Sequence, residues 1–172
     1  WQRTFEGYWE TGTSHILKNL LFYLDKYKDM TFIWTEVIFL NRWWPELTEE
    51  EKTKFLSFIK EGRLEIAGGG WVAPDEATTT LYGLIDNLMQ GHSWLKEFLP
   101  SAPHPRTWWN LDPFGYSSAA AHITKKAGYE QAYILRINSY LKDAMRNNRQ
   151  LEFNWLPAWI SKEYQKDVEK AG

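Results

Sequence analysis

Short apolar runs alternate along this chain with amphipathic stretches of ten residues or more, and this alternation limits the folds open to it. Thr31 to Val37, Leu64 to Ala67, Thr107 to Leu111, Ala132 to Leu135 and Leu151 to Trp155 read as strands. Between them lie helical patterns. From Thr13 to Tyr27, the residues Ile16, Leu17, Leu20, Leu21 and Leu24 recur at 3/4 spacing. Thr48 is an N-cap with Glu51 at the capping-box position, and Gly62 stops that helix after Glu61. Thr79 to Phe98, Ser117 to Ala127 (closed by Gly128) and Asn138 to Asn147 follow, and a charged stretch from Lys162 to Lys170 reads as a helical tail. Strands joined by long helical crossovers pair in parallel. The expected fold class is therefore α/β, as a doubly wound sheet or a parallel (β/α) barrel. About five strands are visible, fewer than a closed barrel usually needs, so the barrel is expected to be incomplete.

With 172 residues the chain suits one domain, spanning 1–172, and its 44% apolar and 24% charged residues are those of a globular protein. The net charge of −2 gives no reason to expect nucleic acid as a partner. No apolar run is long enough to span a bilayer, so a membrane anchor is expected only outside this segment. The chain starts at Trp1 and not at Met, as a processed product or a piece of a longer protein would. With no cysteine, disulfides and thiolate chemistry are excluded within it. Eleven Trp are more than usual. Core packing is the better reading for any single one, yet so many also suffice to line a groove in which sugar rings stack.

In a parallel sheet the strand ends share one face, and chemistry collects there. Trp34 and Glu36, Gly68 to Trp71, Asp112 with Phe114, and Arg136 would meet on it. Asp112 follows the apolar run 107–111 directly and precedes a Pro/Gly turn, the setting of a nucleophile, a metal ligand or a turn former. Gly68-Gly69-Gly70 lacks the Lys-Ser/Thr ending of a phosphate loop, and close backbone approach or a sharp strand exit is its expected use. Asp75-Glu76 is expected in the acidic first turn of the long helix. His15, His92, His104 and His122 show no metal-like spacing, and a role other than ligation is expected for each.

These residues also carry a resemblance. Phe32-Ile33-Trp34-Thr35-Glu36, Gly69-Gly70-Trp71-Val72-Ala73-Pro74-Asp75-Glu76-Ala77 and Asp112-Pro113-Phe114-Gly115 occur in the order and form seen in glycoside hydrolase family 38, the retaining α-mannosidases. Pro74 and the run Gln150 to Phe153 resemble the Golgi-type branch more than the lysosomal one. The resemblance implies part of a seven-stranded parallel α/β barrel, the N-terminal domain of a larger zinc enzyme that removes mannose from N-linked glycans in the Golgi lumen or another secretory compartment. It implies that Asp112 is the nucleophile and a zinc ligand. Trp1, Phe114 and Arg136 would bind the substrate.

Departures from the family pattern accompany it. The His-x-Asp-Pro-Gly motif that supplies two zinc ligands would lie before Trp1, and the last ligand and the general acid would lie beyond residue 172. On this reading the isolated chain binds zinc weakly and hydrolyses nothing. Tyr116 stands where the family has His, Ala73 where it has Met, and Asn110-Leu111 where it has Ala-Ile; the last two changes read as tolerable. Two readings remain open: an enzyme segment, or a non-catalytic derivative that keeps a mannose-shaped pocket as a binding module. A metal hydrolase on a related barrel, of the polysaccharide deacetylase kind, is a weaker third.

Overall fold

The structure, a computed structural model, describes residues 2–156. A first short helix, α1 (Phe5–Tyr8), runs through a π-helical turn, Trp9–Thr13, into α2 (Ser14–Lys26). Then follow β1 (Phe32–Trp34), α3 (Val37–Trp43) with a 3-10 turn at Trp44–Glu46, α4 (Glu49–Lys60), β2 (Leu64–Ile66), α5 (Leu81–Phe98), β3 (Thr107–Asn110), α6 (Ser118–Lys126), β4 (Gln131–Ile134) and α7 (Ser139–Asn147). The strands pair in parallel as β1 with β2 and β3 with β4, with Phe32 opposite Leu64 and Thr107 opposite Gln131. The Gly68 N–H, just past β2, donates to the Thr107 carbonyl at 2.7 Å, so the exit of β2 meets the entry of β3.

Local chemistry explains most boundaries. Thr48 accepts from the Glu51 N–H at 3.2 Å while the Glu51 carboxylate accepts from the Thr48 N–H at 2.9 Å, a complete capping box. Thr80, Ser117 and Asn138 cap α5, α6 and α7 by the simpler means of a side-chain oxygen accepting from a first-turn N–H. Two expected strands differ. The first ends at Trp34 because the N–H groups of Val37 and Ile38 donate to the carbonyls of Gly70 and Trp71, which starts α3 and buries Val37 and Leu40. The run 151–155 is not a strand: no ladder hydrogen bond joins it to the described residues, and Leu151, Phe153 and Trp155 are exposed. The charged tail 162–170 lies outside the described residues.

Two apolar clusters result. The larger joins α2, α3, α4 and β2 to the C-terminal half of α5. Trp43, Trp44, Phe55 and Trp94 form its centre, meeting edge to face at centroid distances of 5.8–5.9 Å. The smaller brings Leu84 and Leu88 of α5 against Trp108, Ala120 and Tyr129. Among the described residues, five tryptophans (Trp9, Trp43, Trp44, Trp94 and Trp108) are thus core. The far edge is open: Tyr133, Leu135, Tyr140 and Leu141 are exposed.

The helix α5 spans both clusters, and its height is set by backbone contact with the glycine loop. Gly68 and Gly69 have φ of +67° and +68°, the left-handed region that glycine enters without a Cβ clash. At Gly91 a Cβ would collide with the Gly69 carbonyl oxygen and lie 2.7 Å from the Gly70 carbonyl carbon. Gly91→Ala is therefore expected to destabilise the fold by about 3 kcal/mol, since rigid backbone cannot yield as a side chain can. Urea unfolding measures it; an unchanged midpoint would show that the helix can lift.

Candidate functional site

The loop from Asn110 to Ser117 leaves the end of β3 carrying Asp112, and four side chains hold it. Glu76 does most. It is 8% exposed, and its Oε1 accepts from Asn110 Nδ2 at 2.7 Å and from Trp108 Nε1 at 3.2 Å, while its Oε2 accepts from the Ser117 N–H at 2.8 Å. Ser117 is also the cap of α6, so one carboxylate fixes both ends of the loop. Asp75, next in sequence, accepts from the Phe114 N–H at 3.1 Å. Pro113, between Asp112 and Phe114, is fully buried. Finally, the Tyr116 hydroxyl donates to the Asn110 carbonyl at 2.9 Å.

This overturns one sequence expectation. Asp75 and Glu76 are not in the first turn of α5, which starts at Leu81 behind the cap Thr80. They form a separate turn, in which the N–H groups of Thr78 and Thr79 donate to the Asp75 carbonyl. The Thr78-Thr79-Thr80 run was the legible sign that the helix begins after the acids. Likewise Asn110, read as a tolerable departure, is a working partner of Glu76.

Asp112 and Arg136, at the ends of neighbouring strands, come together. Arg136 Nε donates to Asp112 Oδ1 at 2.6 Å and Nη2 donates to the same oxygen. Asp112 Oδ2 has no hydrogen bond to any described residue and stays open to solvent, since the side chain is 78% exposed. The Arg136 guanidinium lies 5.2 Å from the Phe114 ring centroid, over a ring that is itself exposed. An exposed ion pair contributes little to stability, about 0–1 kcal/mol; its effect here is to orient the carboxylate. Trp1 lies outside the described residues.

The strand-end groups of β1, Trp34 and Glu36, bond elsewhere and not to Asp112. Glu36 accepts from the Ala73 N–H at 3.3 Å, and Trp34 Nε1 donates to the Glu36 carbonyl at 2.8 Å. Burial raises the Glu36 carboxyl above its ordinary range, partly opposed by that N–H. Below the glycine loop, the Tyr129 hydroxyl donates to the Gly68 carbonyl and lies 2.9 Å from His92 Nε2. Burial first, then the neighbouring His104, lowers the His92 pKa, and burial raises that of Tyr129. Among the described residues no group of three or more His, Asp or Glu side chains could hold a metal ion. Asp112 offers one free carboxylate oxygen, so these residues do not make a zinc site by themselves. No described helix is long and apolar enough to cross a membrane.

The ends of two neighbouring parallel strands thus carry an open carboxylate, a guanidinium and an aromatic ring, and comparison with known proteins gives the family. Residues 1–162 match the N-terminal domain of glycosyl hydrolases family 38, and the chain belongs to that family. It is 42% identical over 161 residues to alpha-mannosidase 2 of Spodoptera frugiperda, covering 94% of this chain. It is 36% identical to the human alpha-mannosidase 2 over 92% of this chain, and 34% identical to that of Arabidopsis thaliana over 95%. In each case the chain spans 14% of the relative's length.

Two outcomes are expected from this geometry. Glu76→Gln replaces an acceptor-only group with an amide whose NH2 faces N–H donors, and should cost about 2 kcal/mol in chemical denaturation. A loss under about 0.5 kcal/mol would mean that the carboxylate does not hold the loop. Glu36 binds its proton more tightly folded than unfolded. Its contribution to stability is therefore full below its ordinary value of 4.5, declines as pH rises through the raised value, and is flat above. Glu36→Gln should flatten that part of the stability–pH curve.

Proposed function

We propose that this chain is part of a retaining, zinc-dependent α-mannosidase that removes α-mannose from N-linked glycans in the Golgi lumen or another secretory compartment. The observation that carries this reading is the one-sided hold on Asp112, in a chain belonging to family 38. The four parallel strands would then be consecutive members of a larger (β/α) barrel completed by residues outside 2–156. The glycan is the partner implied, bound through Phe114, Arg136 and Trp1.

Asp112 Oδ2 would attack the anomeric carbon as the bond to the leaving oxygen breaks, forming a glycosyl ester. A second carboxyl group would protonate the leaving oxygen and then deprotonate the water that displaces Asp112. Two inversions give retention. Arg136 would stay on Oδ1 throughout, orienting the lone pairs of Oδ2 and meeting the carboxylate charge each time it returns. Phe114 would offer its exposed face to the C–H surface of the sugar. Zinc would supply Lewis-acid binding of sugar hydroxyls, with Asp112 as the ligand this chain contributes and the others drawn from outside the described residues.

The test is made on the polypeptide that carries this domain. Hydrolysis of an aryl α-mannoside should be abolished by a chelator, and Asp112→Asn should lower kcat about a thousandfold or more. A fluorinated mannosyl fluoride, which forms the ester faster than it is hydrolysed, should leave its mass on the peptide containing Asp112. Labelling of a different carboxylate would remove Asp112 from the nucleophile's role. The 172-residue chain alone is expected to bind zinc weakly and to be inactive.

A further inference from the structure

Tyr116 makes three hydrogen bonds through one oxygen. Its hydroxyl donates to the Asn110 carbonyl at 2.9 Å and accepts from the Leu135 N–H at 2.7 Å and the Arg136 N–H at 3.2 Å. A phenol has one proton and two lone pairs, so its capacity is fully used. Asn110 opposite Ile134 is the last rung of the β3–β4 ladder, and beyond it the strands part. The hydroxyl stands where the next rung would be and reconnects them. Asp112 and Arg136 each lie two residues beyond that last rung.

The ion pair needs such support. Its side chains are 78% and 50% exposed, so packing does not hold them. Arg136 has its backbone fixed by Tyr116 and its guanidinium braced by Phe114, and from there it reaches Oδ1 alone. Leu135 is held in turn, its carbonyl accepting from the Ile137 N–H at 3.0 Å and from Lys142. A single imidazole nitrogen either donates or accepts, whereas this one oxygen does both.

The geometry points to Tyr116 as a positioning residue for Asp112. By pinning the end of β4 to the end of β3, it keeps Arg136 on Oδ1 and leaves Oδ2 turned outward to react. This inference rests on the reading of Asp112 as the nucleophile, and the experiment separates the two. Tyr116→Phe, Arg136→Gln and the double variant are compared in the polypeptide that carries this domain, by aryl α-mannoside kinetics and by amide hydrogen exchange.

Tyr116→Phe is expected to lower kcat about tenfold with KM changed by less than about twofold. Exchange at Leu135 and Arg136 should quicken about tenfold, while Trp109 within the ladder is unchanged. The double variant should lose no more activity than Arg136→Gln alone, because Tyr116 acts through Arg136. An unchanged kcat in folded Tyr116→Phe overturns the inference, as does a double variant whose loss is the product of the two single losses. If the unaltered protein hydrolyses no mannoside, the hydrolase reading fails by itself and exchange decides the bridge. Faster exchange then supports it, and unchanged exchange overturns it.

Discussion

The buried carboxylate of Glu76 is the constraint on which the site depends. An ionised acid removed from water is costly unless donors replace its hydration. Glu76 has three, from two parts of the structure: the Trp108 indole and Asn110 amide of β3, and the N–H of Ser117 at the head of α6. Satisfying one group therefore fixes the strand, the loop that follows it and the next helix relative to each other. Asp75, carried on the same turn, adds a grip on Phe114. The reactive-looking Asp112 is itself exposed and weakly held. Its position is the result of acids that are not exposed.

Stability and site geometry are thereby separated in space. The aromatic cluster of Trp43, Trp44, Phe55 and Trp94 lies with the larger core, and each buried side chain of this kind contributes roughly 1.5–3 kcal/mol. The Asp112–Arg136 pair lies beyond the smaller core, with its net energy screened by solvent. What reaches the pair is direction, passed through the Tyr116 hydroxyl, which donates to the Asn110 carbonyl and accepts from the Arg136 N–H. Such an arrangement lets the carboxylate meet water and ligand while its bearing remains fixed.

Features that depend on near neighbours in sequence were legible. The Thr48–Glu51 capping box, the stop at Gly62, the helices at 14–26 and 81–98 and the parallel pairing all follow from local chemistry or from crossover length. The use of Gly68 to Gly70 for close approach was also readable, since no phosphate-loop ending accompanies them. The helix at 37–43 was not, because its β-branched start is overridden by carbonyls 33 residues away, at Gly70 and Trp71. Leu151 to Trp155 has the composition of a strand but no adjoining ladder among the described residues. Glu76 was read as a helix-dipole acid because its partners are 32 to 41 residues distant. At the site, Asp112, Phe114 and Arg136 could be placed together from strand ends. The bridging role of Tyr116 could not, since it depends on how two strands part.

The contact between Gly91 and the glycine loop constrains how this sequence can drift. At that crossing the helix and loop are separated by less than a methyl group, so change is ordered and not merely rare. A larger residue on the helix is viable only after the loop has moved. The loop cannot move by itself, because its carbonyls at 70 and 71 also seat the start of α3. A side chain added at Gly91 is therefore expected to need a compensating shift in both the loop and α3.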